Sequence, residues 1–209
     1  GTTTDYPDGF EPNKDFKSLR VGYLKKDIEK DTSLSKANLE KALETFKKMG
    51  ITLNEVELPE DVPYSSFDVI LRAEAGAFFD DLVRSRNVDK MVEQDQGSRA
   101  NSLRQARFIP AVEYLQANRY RQVLIEKMEV IMKDYDILIS PTFGNRQLII
   151  TNLTGHPVIS IPTGLDKEKH PTSITLVGNL YDEASILLLA KAFQENTDFD
   201  EMHPEGYTD

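Results

Sequence analysis

The sequence has no cysteine, and it contains only three histidines among its 209 residues. Without cysteine the chain has no disulfide, no thiolate nucleophile and no zinc–thiolate site. The histidines (His156, His170 and His203) lie too far apart for the spacing of a metal site. The sequence therefore predicts no metal site, and it contains no motif that implies a cofactor.

An excess of positive charge and a long apolar run are also missing. The chain has 35 acidic and 25 basic residues, which gives a formal net charge of -10. This balance argues against a nucleic-acid surface, because binding to phosphates needs clustered Lys and Arg. No apolar run approaches the roughly 20 residues of a membrane span, and no secretory signal stands at the start. These patterns leave the compartment unknown and favour the cytoplasm slightly.

The apolar pattern of the first third predicts a strand–helix–strand unit. Residues 1–18 are polar and include Pro7, Gly9 and Pro12, which indicates an extended lead-in. A short apolar strand at 19–24 is followed by a helix at 33–49, in which apolar residues recur every three or four positions. An alternating strand follows at 51–58. Such a unit predicts a parallel strand pair joined by a crossover helix.

The rest of the pattern predicts two long helices and three buried strands. The helices run from Ser65 to about Arg86 and from Pro110 onward, while residues 87–109 form short helices or a surface loop. Each helix has an apolar stripe (Leu71, Ala75, Phe78 and Leu82; then Ala117, Tyr120, Leu124, Met128 and Ile131). Strands follow at 134–142, 156–164 and 172–178, and Asp182 caps a final buried helix.

These elements together predict the fold class. Most strands follow helices and are apolar and β-branched, which is typical of a sheet covered on both sides. We therefore expect residues 19–209 to form a single domain. It would be a layered α/β/α structure with a mixed, mostly parallel sheet of about five strands covered by helices.

The familiar catalytic motifs are absent. There is no G-x-S-x-G nucleophile elbow and no glycine-rich phosphate loop. His156 and Ser160 are four residues apart across a proline, and in a strand their side chains would be well separated. This spacing favours a turn histidine beside a strand serine over a catalytic dyad. Adjacent carboxylates are expected by chance in so acidic a chain, and they fit helix caps and solvated faces.

One stretch concentrates basic side chains in an otherwise acidic protein (Arg99, Arg104, Arg107, Arg119 and Arg121). Arg104 and Arg107 are three residues apart, so a helix would place them on one face. Such a face could form a clamp for an anion or carboxylate. Salt bridges to the abundant acidic residues are the favoured alternative.

The second half of the chain resembles a known family. The segments "YLQANRYRQVL", "DYDILISPTFG", "TNLTGHPVISIPTG" and "PTSITLVGNLYDEASILLLAKAFQENT" and a closing "HP" occur here in the order seen at the C-terminal end of amidase signature enzymes. The segments "LRVGYL" and "MGITLNEVELP" resemble the region just after that family's catalytic portion. The resemblance covers about residues 17–204. It implies an enzyme that hydrolyses amide C–N bonds, or that moves ammonia from glutamine during amidotransfer.

The same resemblance shows what this chain lacks. The family's mechanism uses a nucleophilic serine, a second serine on a cis peptide and a lysine, within and upstream of a glycine- and serine-rich stretch. The sequence has no such stretch, and its one Ser-Ser pair, Ser65–Ser66, lacks flanking glycines. No catalytic residue is therefore assigned. The segment "FGNRQLII" is also too short to hold the aspartate of glutamine-using members, which disfavours the transfer-RNA amidotransferase subgroup.

The resemblance thus predicts the C-terminal segment of an amidase-signature hydrolase, catalytically inactive by itself, that completes the sheet and the substrate funnel. Its partners would be the missing N-terminal catalytic portion and a small amide substrate. Asn152 and His156 are the candidates for substrate-facing residues, and the alternative for both is hydrogen bonding to the backbone in a turn. Because the two portions share one sheet, we expect an open strand edge or apolar face, and self-association or cover by residues 1–18. The alternative hypothesis is a naturally separate, non-catalytic binding module.

Overall fold

The computed structural model describes residues 14–143, 146–204 and 206. Its strands and longer helices follow in chain order: β1 (Val21–Tyr23), α1 (Lys25–Lys30), α2 (Lys36–Lys48), β2 (Leu53–Glu55), α3 (Asp68–Phe78), α4 (Asp80–Arg84), α5 (Arg99–Gln105), α6 (Ala111–Met132), β3 (Ile137–Pro141), α7 (Arg146–Thr154), β4 (Val158–Leu165), β5 (Pro171–Gly178) and α8 (Glu183–Glu195). Short 3₁₀ turns lie at Phe16–Ser18, Tyr64–Phe67, Asn87–Lys90 and Ala106–Phe108.

The chain groups into two compact units, which we describe separately. The larger unit comprises Gly1–Pro59 with Lys127–Asp209, and the smaller comprises Glu60–Glu126. The division into a lead-in at 1–18 and one domain at 19–209 stays a prediction. Residues 1–13 of that lead-in lie outside the described residues.

The larger unit is built on a five-stranded mixed sheet with the strand order β2-β1-β3-β5-β4. The pairs β1–β2 and β1–β3 are parallel, and β3–β5 and β4–β5 are antiparallel. The strand–helix–strand unit is therefore confirmed, since β1 and β2 pair in parallel around α1 and α2. The expected α/β fold with a mixed five-stranded sheet is also confirmed.

One face of the sheet forms the main core with α2 and α8. Ile139, Ile174 and Leu176 on this face are completely buried, and the rings of Phe46 and Phe193 meet here with their centres 4.7 Å apart. The final helix starts as predicted, because the Asp182 side chain accepts a hydrogen bond from the backbone N–H of Ser185. Burial of these large side chains is the main stabilising contribution to this unit.

The two edge strands of the sheet differ in length and in protection. Strand β2 has three residues, and its Glu55 forms an ion pair with Lys25 at 2.6 Å. Strand β4 has eight residues and was expected to be buried. That expectation is wrong for its first half, because Val158 is 49% exposed and Ser160 is exposed too. The reason is that β4 lies at the end of the sheet, a position that an apolar strand pattern does not reveal.

In the smaller unit, the prediction of one long helix at 65–86 is wrong. A 3₁₀ turn, α3 and α4 replace it, with breaks near Phe67 and Phe79. The predicted stripe is divided: Ala75 and Leu82 pack on a small core of Val88, Ala100 and Leu103, whereas Leu71 and Phe78 are exposed. Residues 87–109 form short helices, as predicted. The sequence pattern marked a helical period correctly, but it could not show which side is covered.

Helix α7 was not predicted. Its sequence, "RQLIITNLT", carries apolar and β-branched residues with little helical period, a pattern that does not indicate a helix. In the structure Gly155 ends the helix with a φ of +84°, a left-handed conformation that glycine adopts without strain. The stretch "TNLTGHPVISIPTG" is thus a helix end, a turn and a strand.

Candidate functional site

The outer edge of β4 presents backbone groups that point away from the sheet. The Gly178 N–H donates to the Pro157 carbonyl at 2.9 Å, which makes these residues a hydrogen-bonded pair. In an antiparallel ladder such pairs alternate with pairs whose backbone groups point outward. With the register Val158↔Val177 and Ser160↔Thr175, the N–H and C=O groups of Val158 and Ser160 point outward. Pro162 lies on the same side and offers a carbonyl without an N–H.

The surface around this edge carries almost no charge. From Gln147 to Leu165 the sequence has no Asp, Glu, Lys or Arg, in a chain whose charged fraction is 29%. Helix α7 exposes Leu148, Ile149 and Asn152 on its outer side. The predicted residue Asn152 is therefore helical and exposed, so its proposed alternative role in a turn is wrong. We refer to β4 and the exposed side of α7 as the open edge.

His156, the second predicted residue, is buried at the end of α7. Its Nδ1 lies 2.6 Å from Thr154 Oγ1, and the same hydroxyl donates to the Ile150 carbonyl at 2.8 Å. Because a hydroxyl has one proton, Nδ1–H donates to Thr154. His156 therefore bonds to a side chain, and not to the backbone as its predicted alternative role required. Burial lowers the pKa of His156, since desolvation disfavours the imidazolium form.

His156 and Ser160 do not form a catalytic pair. The Ser160 hydroxyl lies 3.0 Å from the Thr175 hydroxyl on the neighbouring strand. His156 is bonded to Thr154 instead. The favoured interpretation, a histidine in a turn beside a strand serine, is consistent with these contacts. A role of Asn152 or His156 towards a substrate stays a prediction.

A polar crevice of about 450 Å³ lies at the opposite end of the sheet. It opens where β1 and β3 end and β5 begins, between the segments 27–35, 141–143 and 171–173. In α/β sheets, ligand sites occur outside the carboxyl ends of parallel strands. His156 lies at the end of the sheet where β3 starts, whereas the crevice opens where β3 ends, one strand length or ~13 Å away. The structure does not bring the predicted residues to the crevice.

Hydroxyl groups line the floor of this crevice. Thr142 Oγ1 accepts hydrogen bonds from Ser173 at 3.0 Å and from Thr175 at 3.1 Å. Nearby, Gln147 donates weakly to the Pro141 carbonyl at 3.4 Å. Sequence reasoning missed these residues. The available signal was position, because Thr142 follows β3 directly.

The arginine cluster lies in the smaller unit, and Arg104 and Arg107 pair with acidic residues. Arg104 contacts Asp89 Oδ1 at 2.5 Å and Gln94 Oε1 at 2.8 Å, and Arg107 pairs with Asp80. The hydrogen bond from Arg104 keeps the pKa of Asp89 below its usual value. For these two arginines the salt-bridge interpretation is confirmed, which leaves no common anion clamp between them.

Among residues 14–143, 146–204 and 206, no group of three or more His, Asp or Glu side chains could hold a metal ion. No helix in the same ranges is long and apolar enough to cross a membrane.

The fold described above is that of solved amidases. It matches the peptide amidase of Stenotrophomonas maltophilia with a TM-score of 0.72, over all of this chain and 48% of that one, at 17% identity. It also matches a structure described as an unexpected vestigial protein complex that reveals the origins of an s-triazine catabolic enzyme. That match has a TM-score of 0.67 at 22% identity, over 85% of this chain and 43% of that one.

The family model for Amidase matches residues 2–150, and the chain belongs to this family. Curated relatives extend the match. A glutamyl-tRNA(Gln) amidotransferase subunit from Oceanobacillus iheyensis is 25% identical over 92% of this chain and 48% of its own length. The chain thus spans about half the length of the curated relatives it matches. The expectation that it stands apart from the amidotransferase subgroup stays a prediction.

Proposed function

We propose that this chain is the C-terminal segment of an amidase-signature hydrolase that acts on amide C–N bonds of a small substrate. It completes the sheet and contributes part of the substrate funnel, and it has no hydrolytic activity by itself. The observation that carries this proposal is the open edge of β4. The match to about half of each relative supports it.

Soluble proteins protect exposed sheet edges with charges, short strands or covering segments. Strand β2 follows this rule with three residues and the Glu55–Lys25 ion pair. Strand β4 has eight residues without a formal charge, and it leaves the outward groups of Val158 and Ser160 unpaired within the described chain. An unprotected edge of this kind is suited to pairing with a strand from the rest of the enzyme.

The proposed role in the substrate funnel is supported by the exposed side of α7. The outer side of α7 exposes Leu148 and Ile149 next to Asn152, which gives an apolar wall with one carboxamide. A wall of this composition suits a small neutral amide, because it offers a hydrogen-bonding group without a charge that would need pairing. The hydroxyl-lined crevice lies at the other end of the sheet and is not part of this role.

Activity measurements test the catalytic part of the proposal. We expect the purified 209-residue chain to hydrolyse neither aryl amides nor the corresponding esters, because it has no serine–serine–lysine set. Turnover that a serine-directed reagent blocks would contradict this. Turnover that the reagent leaves unchanged would indicate a contaminant, which repeated purification would remove.

Assembly with the N-terminal catalytic portion that the proposal requires tests the edge. The substitution Ser160→Pro removes one outward N–H and keeps the hydrogen bonds of β4 to β5, since those groups lie on the other side. We expect this variant to lose binding or rescue of amidase activity, while the matched control Ser160→Thr keeps both. Circular dichroism would show that both variants fold. Equal assembly of the two variants would overturn the role of β4.

A separate binding module is the second candidate. It is favoured by the similarity to a structure described as a vestigial protein complex. The gene sequence distinguishes the two candidates: an in-frame glycine- and serine-rich stretch upstream of this chain supports the enzyme segment. A start codon directly at this point, without such a stretch, supports the module.

A further inference from the structure

Helix α6 has apolar residues on two opposite faces within the smaller unit. Ala117 and Leu124, seven residues apart, are buried on one face. On the opposite face Val112, Leu115 and Val123 are exposed, Leu115 by 59%. A helix that packs on one core needs a single apolar stripe, with polar residues on the other side. The second stripe therefore has no role in the fold of this unit.

The exposed stripe contains two charges of opposite sign. Arg119 and Glu126 share the face of Val112, Leu115 and Val123, because the successive spacings are three, four, four and three residues. Both charged side chains are exposed. Arg119 has no ion pair within the described part of the chain, and Glu126 accepts one hydrogen bond from Gln122 at 3.1 Å. The stripe is ~21 Å long at 1.5 Å per residue.

This arrangement of charges is complementary to itself in one orientation. Two parallel copies of α6 would place Arg119 against Arg119 and Glu126 against Glu126, which is repulsive. Two antiparallel copies can place Arg119 of one copy level with Glu126 of the other. The two-fold axis then passes between Gln122 and Val123, so both copies of Val123 lie at the centre and Val112 and Leu115 extend the seam outward.

We propose that the exposed face of α6 is the contact surface of a homodimer, in which two copies of this chain pair their α6 helices antiparallel. The contact is isologous, as in most soluble dimers. Its apolar centre and its two Arg119–Glu126 pairs combine the burial that gives affinity with the charge pattern that fixes the register. This inference is independent of the proposed amidase function.

The test is the concentration dependence of mass by analytical ultracentrifugation on the full chain. We expect a monomer–dimer equilibrium for the wild type. Val123→Glu should raise the dimer dissociation constant about tenfold or more, because it buries two like charges at the axis. The matched control is Val92→Glu at a fully exposed valine outside α6, and it should leave the equilibrium unchanged.

Charge exchange tests the register. Arg119→Glu should weaken the dimer, and so should Glu126→Arg, since each places like charges opposite each other. The double variant should restore the dissociation constant to near the wild-type value, which a loss of folding could not produce. A chain that stays monomeric, a dimer that Val123→Glu does not weaken, or a double variant without rescue would overturn the proposal.

Two other occupants of the stripe give different results. If the dimer forms through β4, Ser160→Pro dissociates it and Val123→Glu does not, which overturns the α6 contact. If the stripe binds the rest of an amidase, the chain is monomeric and Val123→Glu abolishes binding to that polypeptide. That result also overturns the homodimer, and it leaves the proposed function intact.

Discussion

The side chains of Thr154 and His156 are joined by a hydrogen bond of 2.6 Å that closes the end of α7. The Thr154 hydroxyl in turn donates a hydrogen bond to the Ile150 carbonyl, one helical turn earlier. The imidazole is therefore fixed as the Nδ1–H tautomer, in the neutral state that its buried position favours. His156 thus links the helix end to the first residue pair of β4.

The lowered pKa of His156 predicts a loss of stability in mild acid. The unfolded chain takes up a proton near the usual histidine pKa of about 6.5, whereas the folded chain resists it. The stabilising effect is therefore complete above that value and declines as the pH falls below it. We expect His156→Gln, which does not titrate, to show a smaller decline in denaturant melts. An equal decline in both proteins would assign the effect to other groups.

The pair Arg20–Asp136 is predicted to stabilise the contact between β1 and β3. Burial raises the pKa of Asp136, but hydrogen bonds and charge from Arg20 outweigh it and hold the pKa below its usual value. Arg20 Nη2 lies 2.7 Å from Asp136 Oδ1, and its backbone N–H donates to Oδ2 at 2.8 Å. Because Arg20 is half exposed, we expect Asp136→Asn to lower the free energy of unfolding by only about 1–2 kcal/mol.

The pH dependence of this pair distinguishes it from a packing effect. The ionised carboxylate is favoured by folding, so its contribution is complete above the unfolded pKa of about 3.9 and is lost below it. The difference between wild type and Asp136→Asn should therefore shrink in acid. Glu44→Gln, which breaks the exposed pair with Lys47, is the control, and it should change the stability much less because solvent screens that pair.

Asn38 is predicted to fix β4 near the register shift that lies between Pro162 and Gly164. Its Nδ2 donates to the Leu165 carbonyl and to Thr172 Oγ1, each at 2.9 Å, and Thr172 donates to the Gly164 carbonyl. We expect Asn38→Leu to cost about 2–3 kcal/mol, because buried acceptors lose their donor. Hydrogen exchange should show faster opening at Gly164 and Leu165. A variant of Glu40, exposed on the same helix, should change neither measurement.

Gly22 is predicted to tolerate no side chain. A Cβ at this position would lie 2.6 Å from Val56 Cγ2 and 2.7 Å from Leu138 Cδ2, both closer than van der Waals contact. We expect Gly22→Ala to destabilise the protein by about 1–3 kcal/mol through overpacking of the sheet. Gly97→Ala is the matched control, since its nearest neighbour would be a carboxylate oxygen of Asp95 at 3.5 Å. Thermal melts of both variants provide the comparison.

Replacement of Gln147 is predicted to raise the stability of the protein. Its Oε1 is the single buried side-chain oxygen or nitrogen without a hydrogen-bond partner among the described residues. An unsatisfied buried acceptor costs about 1–3 kcal/mol, and Gln147→Met removes it at similar volume. We expect the variant to be more stable by about 1 kcal/mol in urea melts, with the exposed Gln194→Met unchanged. A loss of stability would show that Oε1 is satisfied in solution.

The sequence predicted the elements that have a clear period or a capping signal. Helix α2 shows a regular apolar stripe and ends at Gly50, and α8 begins at Asp182, so both are found where expected. The sequence did not predict the break in the helical segment at 65–86 or the helix at 146–154. The first has apolar residues on two sides of its helices, and the second has β-branched residues in a helix, so neither pattern identifies the covered face.

In the candidate site, too, local sequence patterns predicted some features and not others. Asn152 and His156 are close in sequence, but the helix end between them leaves one exposed and buries the other. The crevice residues belong to three segments far apart in the chain, which only the order of strands brings together. No local pattern contains that information.

The sequence by itself determined the family, the absence of thiol chemistry and most helices and strands, because these depend on composition, motif order and local periodicity. The tertiary structure decided which strand lies at the sheet edge, which face of α6 stays exposed and which end of the sheet holds the crevice. These properties depend on long-range pairing, since a strand or helix of a given pattern is stable wherever its apolar face finds cover.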